Sequence, residues 1–103
     1  MLGFLRSGKR GKQAYAFISS TARINIEEQK FLINMWSSMS RHSIEKWFID
    51  DLRSLLEALK AKPLPVVTYD ISLLDKDSRT FIRGLGIPII AVKPKEGPPT
   101  VGC

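Results

Sequence analysis

Ser19 and Asp70 are the side chains whose types and settings are best suited to chemistry. Each ends a short apolar run. Ala14-Tyr15-Ala16-Phe17-Ile18 leads into Ser19, and Pro65-Val66-Val67-Thr68-Tyr69 leads into Asp70. Read as parallel strands of one sheet, the two runs bring a hydroxyl and a carboxylate together at its carboxyl edge. Open α/β sheets build their sites there. The plain alternative makes Ser19-Ser20-Thr21 a loop that caps the next helix, and Asp70 a turn or capping aspartate. His42 has no second histidine beside it and the chain holds one cysteine, Cys103, so no metal site is expected. No Gly-x-Gly-x-x-Gly or P-loop pattern follows either run, so no cofactor is expected either.

The elements that must position these residues follow from spacing. Gln13 to Ile18 reads as a strand, short, apolar and followed by Ser-Ser-Thr. From Ile26 to about Met39, apolar residues recur at Phe31, Leu32, Met35, Trp36 and Met39, the three-and-four spacing of an amphipathic helix. Ser40 to Lys62 admits two readings. One is a single helix capped by Ser43, with Ile44, Trp47, Phe48, Leu52, Leu55, Leu56 and Leu59 along one face. The other is a strand at Lys46–Ile49, a turn at Asp50-Asp51 and a helix over Leu52–Ala61. Periodicity favours the single helix. Val66 to Tyr69 reads as a buried strand, Leu74 to Leu85 as a helix, and Ile87 to Val92 as a further strand. Strand, helix and strand within so few residues make a βαβ unit with parallel strands. The expected fold is a small three-layer α/β domain with a mostly parallel four-stranded sheet. A basic arm over residues 1–12 precedes the domain at 13–93, and a Pro/Gly-rich tail follows at 94–103. Trp36, Trp47 and Phe48 are most simply core residues.

Composition narrows the class. With 103 residues, 44% hydrophobic and 25% charged, the chain has enough apolar surface for one folded core. Its net charge of +6 is uneven. Arg6, Lys9, Arg10 and Lys12 make residues 1–12 wholly basic, while residues 13–92 hold ten basic and nine acidic side chains. Such an arm suits the phosphates of nucleic acid or an acidic surface; the plain alternative is a solvated terminus. A homo-oligomer or a protein partner is left open by the apolar helix faces. The apolar runs are too short to span a bilayer, so no membrane partner is expected. Cysteine usage fits the cytoplasm or another reducing intracellular compartment.

Taken in the split reading, the order and the residues resemble the catalytic domain of serine recombinases of the resolvase/invertase family. The family's first strand carries Tyr-Ala-Arg-Val-Ser-Thr before a glutamine-bearing helix, and Tyr15-Ala16-Phe17-Ile18-Ser19-Ser20 followed by Gln29 is similar. An arginine opening a leucine-rich helix is matched by Arg53-Ser54-Leu55-Leu56-Glu57-Ala58-Leu59. The family's Leu-Asp-Arg-Leu-x-Arg is aligned with Tyr69-Asp70-Ile71-Ser72-Leu73-Leu74, and a glycine-led strand with Gly86 to Val92. The resemblance implies DNA recombination, a Ser19 nucleophile, an Arg53 phosphate ligand and an organising Asp70. Three arginines of the pattern are replaced by Phe17, Ile71 and Leu74. Removing one preorganised donor costs on the order of 10²–10³ in rate. Lost or weak strand cleavage is therefore expected, with Arg23, Arg79 and Arg83 as the available substitutes. The resemblance is to a degenerate, truncated form, since the family's long helix and DNA-binding domain have no counterpart here. A non-catalytic α/β protein-interaction module with a basic N-terminal arm is the alternative.

Overall fold

Lys12–Ile18 (β1) is the strand around which the fold is built, and its burial shows why. Five consecutive residues, Ala14 to Ile18, are buried, as a central strand covered on both faces requires. The computed structural model describes residues 12–94. The remaining elements are Ile26–Ser40 (α1), His42–Ile49 (β2), Leu52–Ala61 (α2), Val66–Thr68 (β3), a 3₁₀ turn at Ile71–Leu73, Lys76–Gly84 (α3) and Ile89–Ala91 (β4). The strands pair in the order β2-β1-β3-β4, every pair parallel.

Side chains of β1 alternate between two cores, which makes three layers. Ala14, Ala16 and Ile18 meet Ile33 of α1, with Ile26 and Trp36 alongside. Tyr15 and Phe17 meet Leu55 and Leu59 of α2 and Ile82 of α3 on the other face. Tyr15 and Phe48 pack edge to face at 5.6 Å between ring centres.

Residues 42–49 correct the single-helix preference. They form a strand longer than the Lys46–Ile49 alternative, and Ser43 lies inside it rather than capping a helix. Two left-handed residues punctuate the segment. Arg41 (φ 59°) ends α1, its N–H reaching the carbonyls of Ser37 and Ser38, and Asp50 (φ 54°) ends β2. Asp51 then caps α2 by accepting from the Ser54 N–H at 3.1 Å. The helical spacing of Trp47 to Leu59 thus runs across a strand end and a helix start.

Helix α1 carries a second correction. Its core side is Ile26, Gln29, Ile33 and Trp36, whereas Phe31, Met35 and Met39 of the expected apolar stripe face solvent. Phe48 is buried, and Trp36 and Trp47 are half-buried against the α1-side core. Lys12 belongs to β1 rather than to the arm. Arg6, Lys9 and Arg10 lie outside the described residues. No helix among the described residues is long and apolar enough to cross a membrane.

The Thr68 hydroxyl is fully buried in β3 and has no hydrogen-bond partner among the described residues. Leaving such a group unpaired costs about 1–3 kcal/mol. Thr68→Val keeps the shape and removes the hydroxyl, so it is expected to raise the unfolding free energy by about 1 kcal/mol. Urea denaturation checks this: the midpoint should rise at constant slope, and an unchanged or lower midpoint contradicts it.

Candidate functional site at the carboxyl rim of the sheet

Strand register places four polar side chains in one row. Ile18 pairs with Ile49, Phe17 with Thr68, and Thr68 with Ala91. Continuing each strand past its last pair sets Asp50, Ser19, Asp70 and Lys93 side by side along the carboxyl rim. Backbone bonds carry the pairing to that edge: Asp50 N–H to Ile18 O at 2.8 Å, Val92 N–H to Thr68 O at 2.9 Å and Lys93 N–H to Tyr69 O at 2.8 Å. The chain leaves β1 toward α1 on one face and β3 toward α3 on the other, so Ser19 and Asp70 flank the point where the connections reverse. That is where ligands enter open α/β sheets.

The Ser19 turn is held from inside the protein. Gln29 is fully buried, and its Oε1 accepts the Ser19 N–H at 3.2 Å. Its Nε2 donates to the Ser19 carbonyl at 2.8 Å and to the Ile24 carbonyl at 3.2 Å. The Ser19 hydroxyl lies 2.7 Å from the Thr21 hydroxyl and accepts the Thr21 N–H at 3.1 Å. From the β2 side, Asp50 Oδ1 accepts the Ser20 N–H at 2.9 Å. That bond, helped by the Ser20 and Ser19 hydroxyls, holds the Asp50 carboxyl below its ordinary value of 3.8.

Asp70 caps the 3₁₀ turn and binds the last strand. Its Oδ1 accepts the Ser72 N–H at 3.1 Å and its Oδ2 meets Lys93 Nζ at 3.3 Å. The Ser72 N–H, then Lys93, lowers its pKa. Between the two turns lies a cleft of about 300 Å³ lined by Thr21, Ala22, Arg23, Tyr69, Asp70, Ser72, Leu73 and Lys93. It offers two cations, one carboxylate and several hydroxyls to a polar ligand.

Arg53 stands apart from this cleft. It is exposed on the first turn of α2, and among the described residues no hydrogen bond or ion pair joins it to Ser19 or Asp70. Phe17 is 4% exposed and part of the core, Leu74 is fully buried in the same core, and Ile71 is half-buried in the 3₁₀ turn. Arg23 is the arginine that lines the cleft, whereas Arg79 points its Nε at the Asp75 carbonyl. Lys12 starts β1, seven positions and roughly 23 Å from Ser19, at the opposite edge.

Asp50 and Lys93 are the rim residues that sequence reasoning passed over. Asp50 carried a signal, since an aspartate pair follows an aromatic run. Lys93 had only its position after a strand. Comparison with protein-family models, curated proteins and solved structures finds no match to this chain.

Replacing Gln29 by alanine leaves the buried Ser19 amide and the Ile24 carbonyl without these partners, while the Ser19 carbonyl keeps only the Ala22 N–H at 3.3 Å. A loss of about 2–3 kcal/mol is expected in urea denaturation, and a loss near zero would mean that the clamp is not formed. Asp50, Asp51, Asp70 and Asp75 all have pKa values lowered by folding, chiefly through bonds to Ser20, Ser54, Ser72 and Ser78 respectively. The unfolded chain therefore binds more protons at low pH. Stability should be level from neutrality to about pH 5 and fall as these carboxylates protonate below about pH 4. A urea midpoint that rises on acidification contradicts this.

Proposed function

We propose that this chain is a serine-recombinase-like domain that contacts DNA in recombination without cutting it. What carries the reading is the placement of Ser19 and Asp70 level with each other on neighbouring parallel strands, with the serine turn clamped by Gln29. The element order, with its strand at 42–49 and the helix opened by Asp51, supports the same ancestry.

Chemistry argues for binding rather than cleavage. In-line attack by a serine on a phosphodiester requires its proton to leave and negative charge to be met on the phosphoryl oxygens. Fixed guanidinium forks normally meet that charge. Here the Ser19 hydroxyl is engaged by Thr21, the flanking positions 17 and 74 are core, and Arg53 is turned to solvent. A phosphate seated at the rim would instead meet Arg23, Lys93 and the hydroxyls of Thr21 and Ser72. These groups hold an anion without activating Ser19. The basic segment of residues 1–11 adds long-range attraction.

Fluorescence anisotropy with duplex DNA, paired with a denaturing gel for covalent adducts, tests the proposal. Binding at low salt is expected, with affinity falling linearly against salt on logarithmic axes. Arg23→Ala and deletion of residues 1–11 should each weaken binding and flatten that slope, while Ser19→Ala leaves it unchanged. No adduct should form. Absence of binding at low salt overturns the proposal, and a Ser19-dependent adduct overturns its non-cutting part.

A second reading, a protein-interaction module, is favoured by one observation. Phe31, Met35 and Met39 of α1 are 62%, 44% and 79% exposed.

A further inference from the structure

Helix α1 presents a stripe that stands exposed among the described residues. Phe31, Met35 and Met39 recur every fourth residue, so they stack along one side of the helix, opposite Gln29 and Ile33. Isolated apolar residues on a surface are ordinary, whereas three aligned ones flanked by grooves mark a contact face. One groove, about 320 Å³, lies among Phe31, Asn34, Met35, Ser38 and Met39. The other, about 380 Å³, lies among Ile24, Glu28, Phe31, Leu32, Tyr69 and Pro94. Phe31 lines both, a knob between two holes.

The stripe is self-complementary about Met35. Turned over by a two-fold axis at that residue, Phe31 comes level with Met39 of a second copy. Glu28 then comes level with position 42 of that copy, one residue past Arg41, which is exposed at the helix C-terminus. The first turn of α1 carries Glu27 and Glu28, and its last turn carries no basic residue of its own. An antiparallel pair thus sets acidic ends on the arginine-bearing ends and opposes the two helix dipoles favourably. A parallel pair would set Glu27 and Glu28 against their own copies.

We propose that α1 is a homodimer face, in which two copies pack antiparallel through Phe31, Met35 and Met39 about a two-fold axis at Met35. Such an interface is isologous, each copy using the same patch. One helix face with its grooves is smaller than a standard specific interface, so the association is of the weak, transient kind. The inference stands apart from DNA binding, since the stripe is not part of the rim cleft.

Sedimentation velocity over the micromolar range tests for the dimer, and cysteine crosslinking tests its direction. The apparent mass should rise from the monomer toward twice 11.6 kDa with concentration. Met35→Glu and Met39→Glu should each hold the protein at monomer mass, with unchanged far-ultraviolet dichroism and melting temperature, because both side chains are exposed. In a Cys103→Ser background, Met35→Cys should form an interchain disulfide on mild oxidation. Met39→Cys should not, because two such residues lie about 12 Å apart along an antiparallel pair. Crosslinking at both positions would mean a parallel pair and overturn the arrangement. A chain that stays monomeric throughout overturns the proposal. So does a monomer whose affinity for DNA or for lipid vesicles drops in Met39→Glu, since the stripe then serves another occupant.

Discussion

One buried amide governs how this domain is put together. Gln29 sits in the α1-side layer, where an amide is tolerated only if its hydrogen bonds are all made. It makes them with the backbone of Ser19 and Ile24, on the loop that carries the chain from β1 into α1. Three consequences follow from that one side chain. The serine turn is fixed relative to the helix, the helix is fixed relative to the sheet, and the rotation of the helix about its own axis is set. With Gln29 inward, Ile33 and Trp36 follow it into the core, and Phe31, Met35 and Met39 are left outside.

The rim inherits its order from this clamp and from the strand register. A parallel sheet aligns the ends of its strands, so residues one or two positions past the last pairs fall into a row. Asp50 ties the Ser20 amide to the end of β2, and Lys93 ties Asp70 to the end of β4. Each carboxylate also caps or closes a turn, which explains its lowered pKa without any catalytic role. The same hydrogen bonds that order the rim engage the Ser19 hydroxyl and the Asp70 carboxylate.

Much of the fold was readable from local chemistry. The apolar runs before Ser19 and Asp70 are strands of one parallel sheet, and acids mark the helix starts, with Asn25, Asp51 and Asp75 as caps. Two features resisted reading, each for a physical reason. Residues 42–49 alternate weakly as an edge strand, with an irregularity between Ala14 and Tyr15 in the pairing, and their aromatic spacing happens to continue into α2. The core face of α1 was hidden because Gln29, a polar residue, occupies a central core position of the 26-29-33-36 series. The more apolar 31-35-39 series drew the reading to the wrong side. In the site, Ser19 and Asp70 were legible as strand ends. Asp50 depended on a left-handed turn, and Lys93 on a register, neither of which local composition encodes.

Native-state hydrogen exchange at the Ser19 amide tests the clamp most directly. This amide belongs to a loop yet is bonded to a fully buried side chain. It should exchange as slowly as the amides of Phe17 and Ile18 in β1, through the same large-scale opening. Exchange of Ser19 at the rate of exposed loop amides would mean that Gln29 does not hold the turn, and the ordered rim would lose its cause.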